Sequence, residues 1–154
     1  MSASSIRGFS HFGLCVSDVA RSKRFYCDGL GFREIVAFRV GNEVGPTMEI
    51  AGDIVLDSVF VRRDGVSIEL LGFQQPQPRG DGKRRAMDLL GLTHMSLLVD
   101  DVDAVAARAV EFGGSVVAAT RASTPAGDFV FILDPDGTRV ELMRLEAGPV
   151  PTGD

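Results

Sequence analysis

Two stretches of alternating apolar and small or polar residues frame the chain. In "HFGLCVSDV", residues 11–19, Phe12, Leu14 and Val16 alternate with His11, Gly13 and Cys15. In "HMSLLVDDV", residues 94–102, Met95, Leu97 and Val99 alternate with His94, Ser96 and Leu98. Strand side chains point to opposite faces in turn, so the large apolar set of each stretch is predicted to meet a packed layer and each histidine the other face. A helix is predicted after each strand. In the second, Asp100 or Asp101 caps the start, Val102, Val105, Ala106, Ala109 and Phe112 recur at helical spacing, and Gly113-Gly114 supplies the stop. In the first, Ser17 or Asp18 is the cap, Val19, Ser22, Phe25 and Tyr26 form the buried stripe, and Gly29 or Gly31 ends it.

The two stretches are copies. His11 with His94 and Asp18 with Asp101 share one offset (94 − 11 = 101 − 18 = 83). Further on, "DGVSIELL" from Asp64 matches "DGTRVELM" from Asp136 (136 − 64 = 72), and this aligns Glu69 with Glu141. Strands are predicted near 32–40, 54–63 and 66–73, and again near 115–121, 128–133 and 138–145, with "RRDGV" and "DPDGT" as the tight turns before the last strand of each half. The chain thus divides into a module at 8–73, a Pro- and Gly-rich linker at 74–91, a module at 92–145 and a loose tail at 146–154, all within one domain. Residues 41–52 read as an irregular loop with about one helical turn, of the kind that borders binding sites. The Lys83-Arg84-Arg85 run of the linker reads as a solvated connector.

Alternation also places the glutamates. Glu69 parts from Ile68 and Leu70, and Glu141 from Val140 and Leu142, so both carboxylates join the histidines on the face away from the helices. A lone strand histidine or glutamate ordinarily meets solvent or a hydrogen-bond partner. Here the chain's only two histidines occupy one repeated position, and a carboxylate repeats in register with each. A pseudo-twofold pairing of the modules would bring His11, Glu69, His94 and Glu141 together as a metal-binding set. Mixed nitrogen and oxygen ligands suit one divalent ion: Zn, Ni, Co, Mn or Fe. Cys15 reads as a small core filler.

Charge and composition narrow the partners. A net charge of −5 and a pI near 5.0, with scattered basic residues, exclude an electrostatic footprint for nucleic acid. No run approaches the ~18 apolar residues that a membrane span needs, and "MSASSIRG" has no apolar signal core. Two cysteines without framework spacing fit a reducing compartment, so a cytoplasmic protein is expected.

"SHFGLCVSDVARSKRFYCDGLGF" and "DPDGTRVELMR" resemble the opening strand and helix and the closing hairpin of the vicinal oxygen chelate superfamily. That superfamily includes glyoxalase I, methylmalonyl-CoA epimerase, extradiol dioxygenases, and fosfomycin and bleomycin resistance proteins. The resemblance covers about residues 8–145. It implies an α+β fold of two tandem βαβββ modules forming an open-barrel metal cavity, commonly in homodimers, with His11, Glu69, His94 and Glu141 as ligands. Its nearest types are glyoxalase I and the epimerase.

Coordination number separates the chemistries. A six-coordinate ion with four protein ligands keeps two positions, enough for two substrate oxygens, whereas a dioxygenase needs three and normally uses two histidines and one carboxylate. Proton transfer alpha to a carbonyl or thioester therefore becomes the expected reaction, a lyase of glyoxalase I type or an isomerase of epimerase type. By resemblance to glyoxalase I, Glu141 is the first choice of base, with Glu69 a second ligand or opposite-face base. The substrate is expected to be a small molecule, with a thioester as one candidate. Glu43 and Glu49 read as surface loop residues, and Arg121 and Arg139 find no place in the site from sequence. The alternative is a metal-free protein that sequesters a small molecule or antibiotic, as the bleomycin resistance members do. A dioxygenase, or a thiol transferase of fosfomycin type, fits the four-ligand set less well.

Overall fold

The computed structural model describes residues 5–146. The tail expected at 146–154 lies, apart from Glu146, outside the described residues. Two compact units emerge among the described residues, one of residues 5–23 with Gly31–Arg79, the other of Arg24–Leu30 with residues 80–146.

The first unit holds β1 (Phe12–Cys15), α1 (Val19–Lys23), β2 (Arg33–Val40), a 3-10 turn (Asn42–Val44), the short α2 (Gly45–Met48), β3 (Val55–Arg63) and β4 (Val66–Gln75). Its four-stranded sheet runs β1-β4-β3-β2, with β1 parallel to β4 and the other neighbours antiparallel. The β3–β4 turn sits at Asp64 and Gly65, both at positive φ (47° and 79°). Such a pair matches the right-handed twist of flanking strands, which is why Asp-Gly works there.

The second unit repeats the plan with β5 (Met95–Leu98), α3 (Val102–Glu111), β6 (Ser115–Thr124), β7 (Gly127–Leu133) and β8 (Arg139–Leu145), in sheet order β5-β8-β7-β6. Its first strand is again parallel to its last. The fold is thus α+β, two four-stranded mixed sheets of βαβββ type, neither of which closes on itself. Residues 76–94 form turns and irregular backbone.

Helix starts follow the local chemistry. Asp18 accepts from the backbone N–H of Arg21 at 3.0 Å, and Asp101 accepts from those of Asp103 and Ala104 at 2.9 Å, so both helices open on an aspartate cap. One face of each sheet meets its helix. In the first unit this face carries Val16, Val59, Val61, Ile68 and Leu70, all buried. A Cβ added at Gly72 of β4 would stand 2.0 Å from Val19 Cγ2, so only glycine lets α1 lie this close. In the second unit Val130, Ile132, Val140 and Leu142 meet Val102, Ala106 and Ala109, again all buried. Each fully buried Val, Leu or Ile contributes about 1.5–3 kcal/mol.

Helix α1 continues directly into a π-helical turn, Arg24–Gly29, whose Phe25 and Tyr26 are fully buried in the second unit. The Tyr26 hydroxyl donates to Asp134 Oδ2 at 2.9 Å. Asp134 Oδ1 in turn accepts from the backbone of Asp136 and Thr138, which builds the β7–β8 turn. Burial, then the charge of Asp134, push the Tyr26 phenol well above its ordinary 10.0. Burial likewise raises the Asp134 carboxyl against the pull of its hydrogen bonds. A raised phenol means that the fold favours the neutral form. Its stabilising effect is complete below the unfolded value near 10 and is lost as pH rises toward the folded one. Tyr26 is the single tyrosine of a chain without tryptophan, so tyrosinate absorbance reports on it alone. In an alkaline titration that absorbance should appear together with loss of far-ultraviolet circular dichroism and not before it. Tyr26→Phe should cost about 1–2 kcal/mol in urea unfolding.

Candidate functional site

The face of each sheet away from its helix carries a histidine and a glutamate. In the first unit β1 runs beside β4 with Gly13 opposite Glu69, and β3 puts Phe60 opposite Glu69 on its other side. His11, two residues before Gly13, therefore shares this face. Its Nε2 lies 3.1 Å from Glu69 Oε2, its Nδ1 lies 2.8 Å from Ser10 Oγ, and its ring meets the Phe60 ring edge-on with centroids 5.0 Å apart. Ser58, buried in β3, donates from its hydroxyl to Glu69 Oε1 at 2.6 Å. Both carboxylate oxygens are engaged.

The second unit repeats this geometry. His94 Nε2 lies 3.5 Å from Glu141 Oε2, its Nδ1 lies 2.9 Å from Thr93 Oγ1, and its ring meets Phe131 edge-on at 5.2 Å between centroids. The interplanar angle is 75° in both units. Support for the carboxylate differs, because the hydroxyl that donates to Glu141 belongs to Ser96 of β5 and binds Oε2 at 2.9 Å. Oε2 thus takes both contacts, and Oε1 of Glu141 has no hydrogen-bond partner among the described residues. Thr120 holds Phe131 from the neighbouring strand: its hydroxyl accepts from Phe131 N at 2.9 Å and donates to Val117 O at 2.7 Å. It thereby fills a gap in the β6–β7 ladder.

The structure therefore brings His11 to Glu69 and His94 to Glu141, one pair in each unit. Among the described residues no three His, Cys, Asp or Glu side chains gather within reach of one ion, so the four residues stand as two separate His–Glu pairs, each of which could offer an ion two donors as a half-site. The donors suit a divalent cation. Each half-site offers an imidazole nitrogen beside a carboxylate oxygen, with the other ring nitrogen already against a hydroxyl, as metal-binding histidines require. The glutamate side chains keep 13% and 19% exposure and the histidines 34% and 30%, so all four are shielded but reachable.

Other charged candidates are committed elsewhere. Glu43 Oε1 accepts from Gly41 N at 2.8 Å, and this backbone contact lowers its pKa. Glu49 caps α2 at positive φ. Arg121 pairs with Asp103, and Arg139 donates to the Arg85 carbonyl, tying the linker to β8. Arg85 also donates to Leu90 O at 3.0 Å, and Lys83 lies 3.7 Å from Asp81 with both side chains exposed, so within the run Arg85 carries the linker contacts. Sequence reasoning overlooked Ser10, Thr93 and Ser58. A signal existed for the first two, since a hydroxyl residue precedes each histidine of the repeat.

Comparison with known proteins agrees with this architecture. The sequence profile of the Glyoxalase/Bleomycin resistance protein/Dioxygenase superfamily matches residues 8–142, and the chain belongs to that superfamily. It is 31% identical over 132 residues to the uncharacterized protein YaeR of Escherichia coli K12, covering 86% of this chain and 92% of that one. In structure it resembles a glyoxalase family protein from Bacillus cereus, with a TM-score of 0.82 at 17% identity over 96% of this chain and 99% of that one. Glyoxalase I of Leishmania major superposes with a TM-score of 0.61 at 20% identity, covering 90% and 87% of the two chains. These likenesses in structure establish the fold.

The unequal supports of the two carboxylates predict unequal responses. Ser58→Ala strips a half-buried carboxylate of its donor and should destabilise by about 1.5–3 kcal/mol. Ser96→Ala, at an exposed contact, should cost under about 1 kcal/mol. Parallel urea titrations of the two variants check the difference.

Proposed function

We infer that this protein is a divalent-metal-dependent enzyme that transfers a proton at carbon alpha to a carbonyl or thioester. The observation that carries the reading is the duplicated His–Glu pair, with the same ring-to-carboxylate approach and the same aromatic edge in both units. His11 and Glu69 from a first unit, with His94 and Glu141 from a second, would hold the ion when the half-sites meet, within one chain or between two copies. The ion would supply a Lewis acid for the substrate oxygen on which negative charge develops.

The chain's own part is proton handling. Glu141 is the better base because its Oε1 is uncommitted, whereas both oxygens of Glu69 are held. The proton leaves the alpha carbon for Glu141, its C–H electron pair passing into the carbonyl system. It returns to the neighbouring carbon in a glyoxalase I-like reaction. In an epimerase-like reaction Glu69, protonated beforehand from solvent, delivers its proton to the opposite face of the same carbon and is left ionised while Glu141 holds the abstracted proton, and exchange with solvent resets both. Ser96 holds Glu141 in place, and Phe60 and Phe131 keep the rings upright and restrict water on one side.

A second reading, a binding protein that sequesters a small molecule, predicts no turnover and no metal requirement. Elemental analysis before and after chelation and refilling separates the two. About one ion per four-ligand set is expected, falling sharply in His11→Ala and His94→Ala; full metal in both variants refutes the quartet. Mixing those two variants should restore part of the metal if two copies share each site, and none if one chain completes it. Glu141→Gln should retain some metal and lose solvent-deuterium exchange at the alpha carbon of a methylmalonyl thioester, or thioester formation from methylglyoxal and a thiol, by at least about 100-fold.

A further inference from the structure

Each imidazole of the half-sites stands between a group that can only accept and a group that can do either. Glu69 and Glu141, when ionised, accept only. A neutral ring carries one proton, so the nitrogen facing the carboxylate holds it. At His11 the carboxylate oxygen stands 3.1 Å from Nε2 and at His94 3.5 Å, contacts of charge proximity and not recorded hydrogen bonds, and the negative charge favours the proton on that nitrogen. Nδ1 is then a bare lone pair in both rings. It faces Ser10 Oγ at 2.8 Å and Thr93 Oγ1 at 2.9 Å, hydroxyls that can donate to it.

Ligation through Nε2 reverses this requirement. The lone pair must lie on Nε2 and the proton on Nδ1, which then needs an acceptor. A backbone carbonyl would serve that state alone, and an N–H donor only the other. A hydroxyl serves both, because rotation about its C–O bond presents either its hydrogen or a lone pair. The ring stays neutral throughout: the Nε2–H bond breaks, an Nδ1–H bond forms, and solvent carries the proton between them. The Phe60 and Phe131 edges hold the ring planes at the same 75° in both units, so the exchange requires no ring flip.

We propose that Ser10 and Thr93 are positioning residues whose hydroxyls reverse role, donating to the histidine Nδ1 in the metal-free protein and accepting from it when Nε2 holds a divalent ion. The acceptor half rests on the reading of His11 and His94 as ligands; the donor half stands on the metal-free geometry alone. The arrangement occurs in both units although the residue differs, serine in one and threonine in the other.

The test uses the full chain labelled with 15N at the imidazole rings. With only two histidines, two-bond proton–nitrogen spectra contain two ring systems, each assigned by its alanine variant. At about pH 8.5, where ordinary imidazoles are neutral, both wild-type rings should be the Nε2–H tautomer without metal and Nδ1–H with zinc. Ser10→Ala should leave His11 a mixture of tautomers while His94 is unmoved, and Thr93→Val should do the converse. Each should weaken zinc binding by about 10–100-fold, and Ser10→Thr and Thr93→Ser should restore it. Unchanged tautomers and affinity in Ser10→Ala and Thr93→Val overturn the proposal. Wild-type protein that takes up no zinc overturns the ligand reading and the acceptor half together, and the metal-free spectra then decide the donor half by themselves.

Discussion

A carboxylate set between fully buried aliphatic neighbours is the constraint on which the site is built. Ile68, Leu70, Val140 and Leu142 have 0–2% exposure, and Glu69 and Glu141 sit between them in β4 and β8. Strand alternation turns each carboxylate to the face away from the helix, and desolvation there demands donors. A serine hydroxyl meets that demand in each unit, and an imidazole Nε2 stands beside the carboxylate. The far nitrogen of that ring requires a partner of its own. A hydroxyl beside Nδ1 and a phenylalanine edge beside the ring accompany the partly shielded carboxylate in both units.

Duplication copies the histidines and glutamates more faithfully than their supports. Gly13 and Ser96 occupy equivalent positions beside the two glutamates, and so do Ser58 and Phe129 one strand pair further along. The first unit takes its carboxylate donor from β3, the second from β5. This asymmetry makes the two glutamates unlike in their hydrogen bonding. Acid–base chemistry with two carboxylates commonly needs such a division, one held and one free to exchange a proton.

The superfamily to which the chain belongs joins glyoxalases, resistance proteins and dioxygenases on one framework. Such a framework sets where side chains from parallel strand pairs emerge; what they do there depends on ligand count and on the groups nearby. In this chain the histidine and glutamate positions are all filled by donors that bind divalent ions, and the neighbouring arginines are tied into linker and helix contacts.

The sequence alone determined the features governed by short-range rules. Alternation placed His11, Glu69, His94 and Glu141 on the outer faces, aspartates marked both helix starts, Asp-Gly marked the turns, and strand bounds came within a few residues. These were legible because backbone geometry and capping act over one to four residues. Only the tertiary structure decided that Ser58 reaches Glu69, that Thr120 bridges the β6–β7 gap, and that Glu43 serves the backbone of its own loop. It also decided that Arg24–Leu30, continuous with α1 in sequence, packs with the second unit through Tyr26 and Asp134, partners 108 residues apart. Such pairings depend on ladder register and on how an interior fills. Many distant residues set both together, and no local pattern records the result.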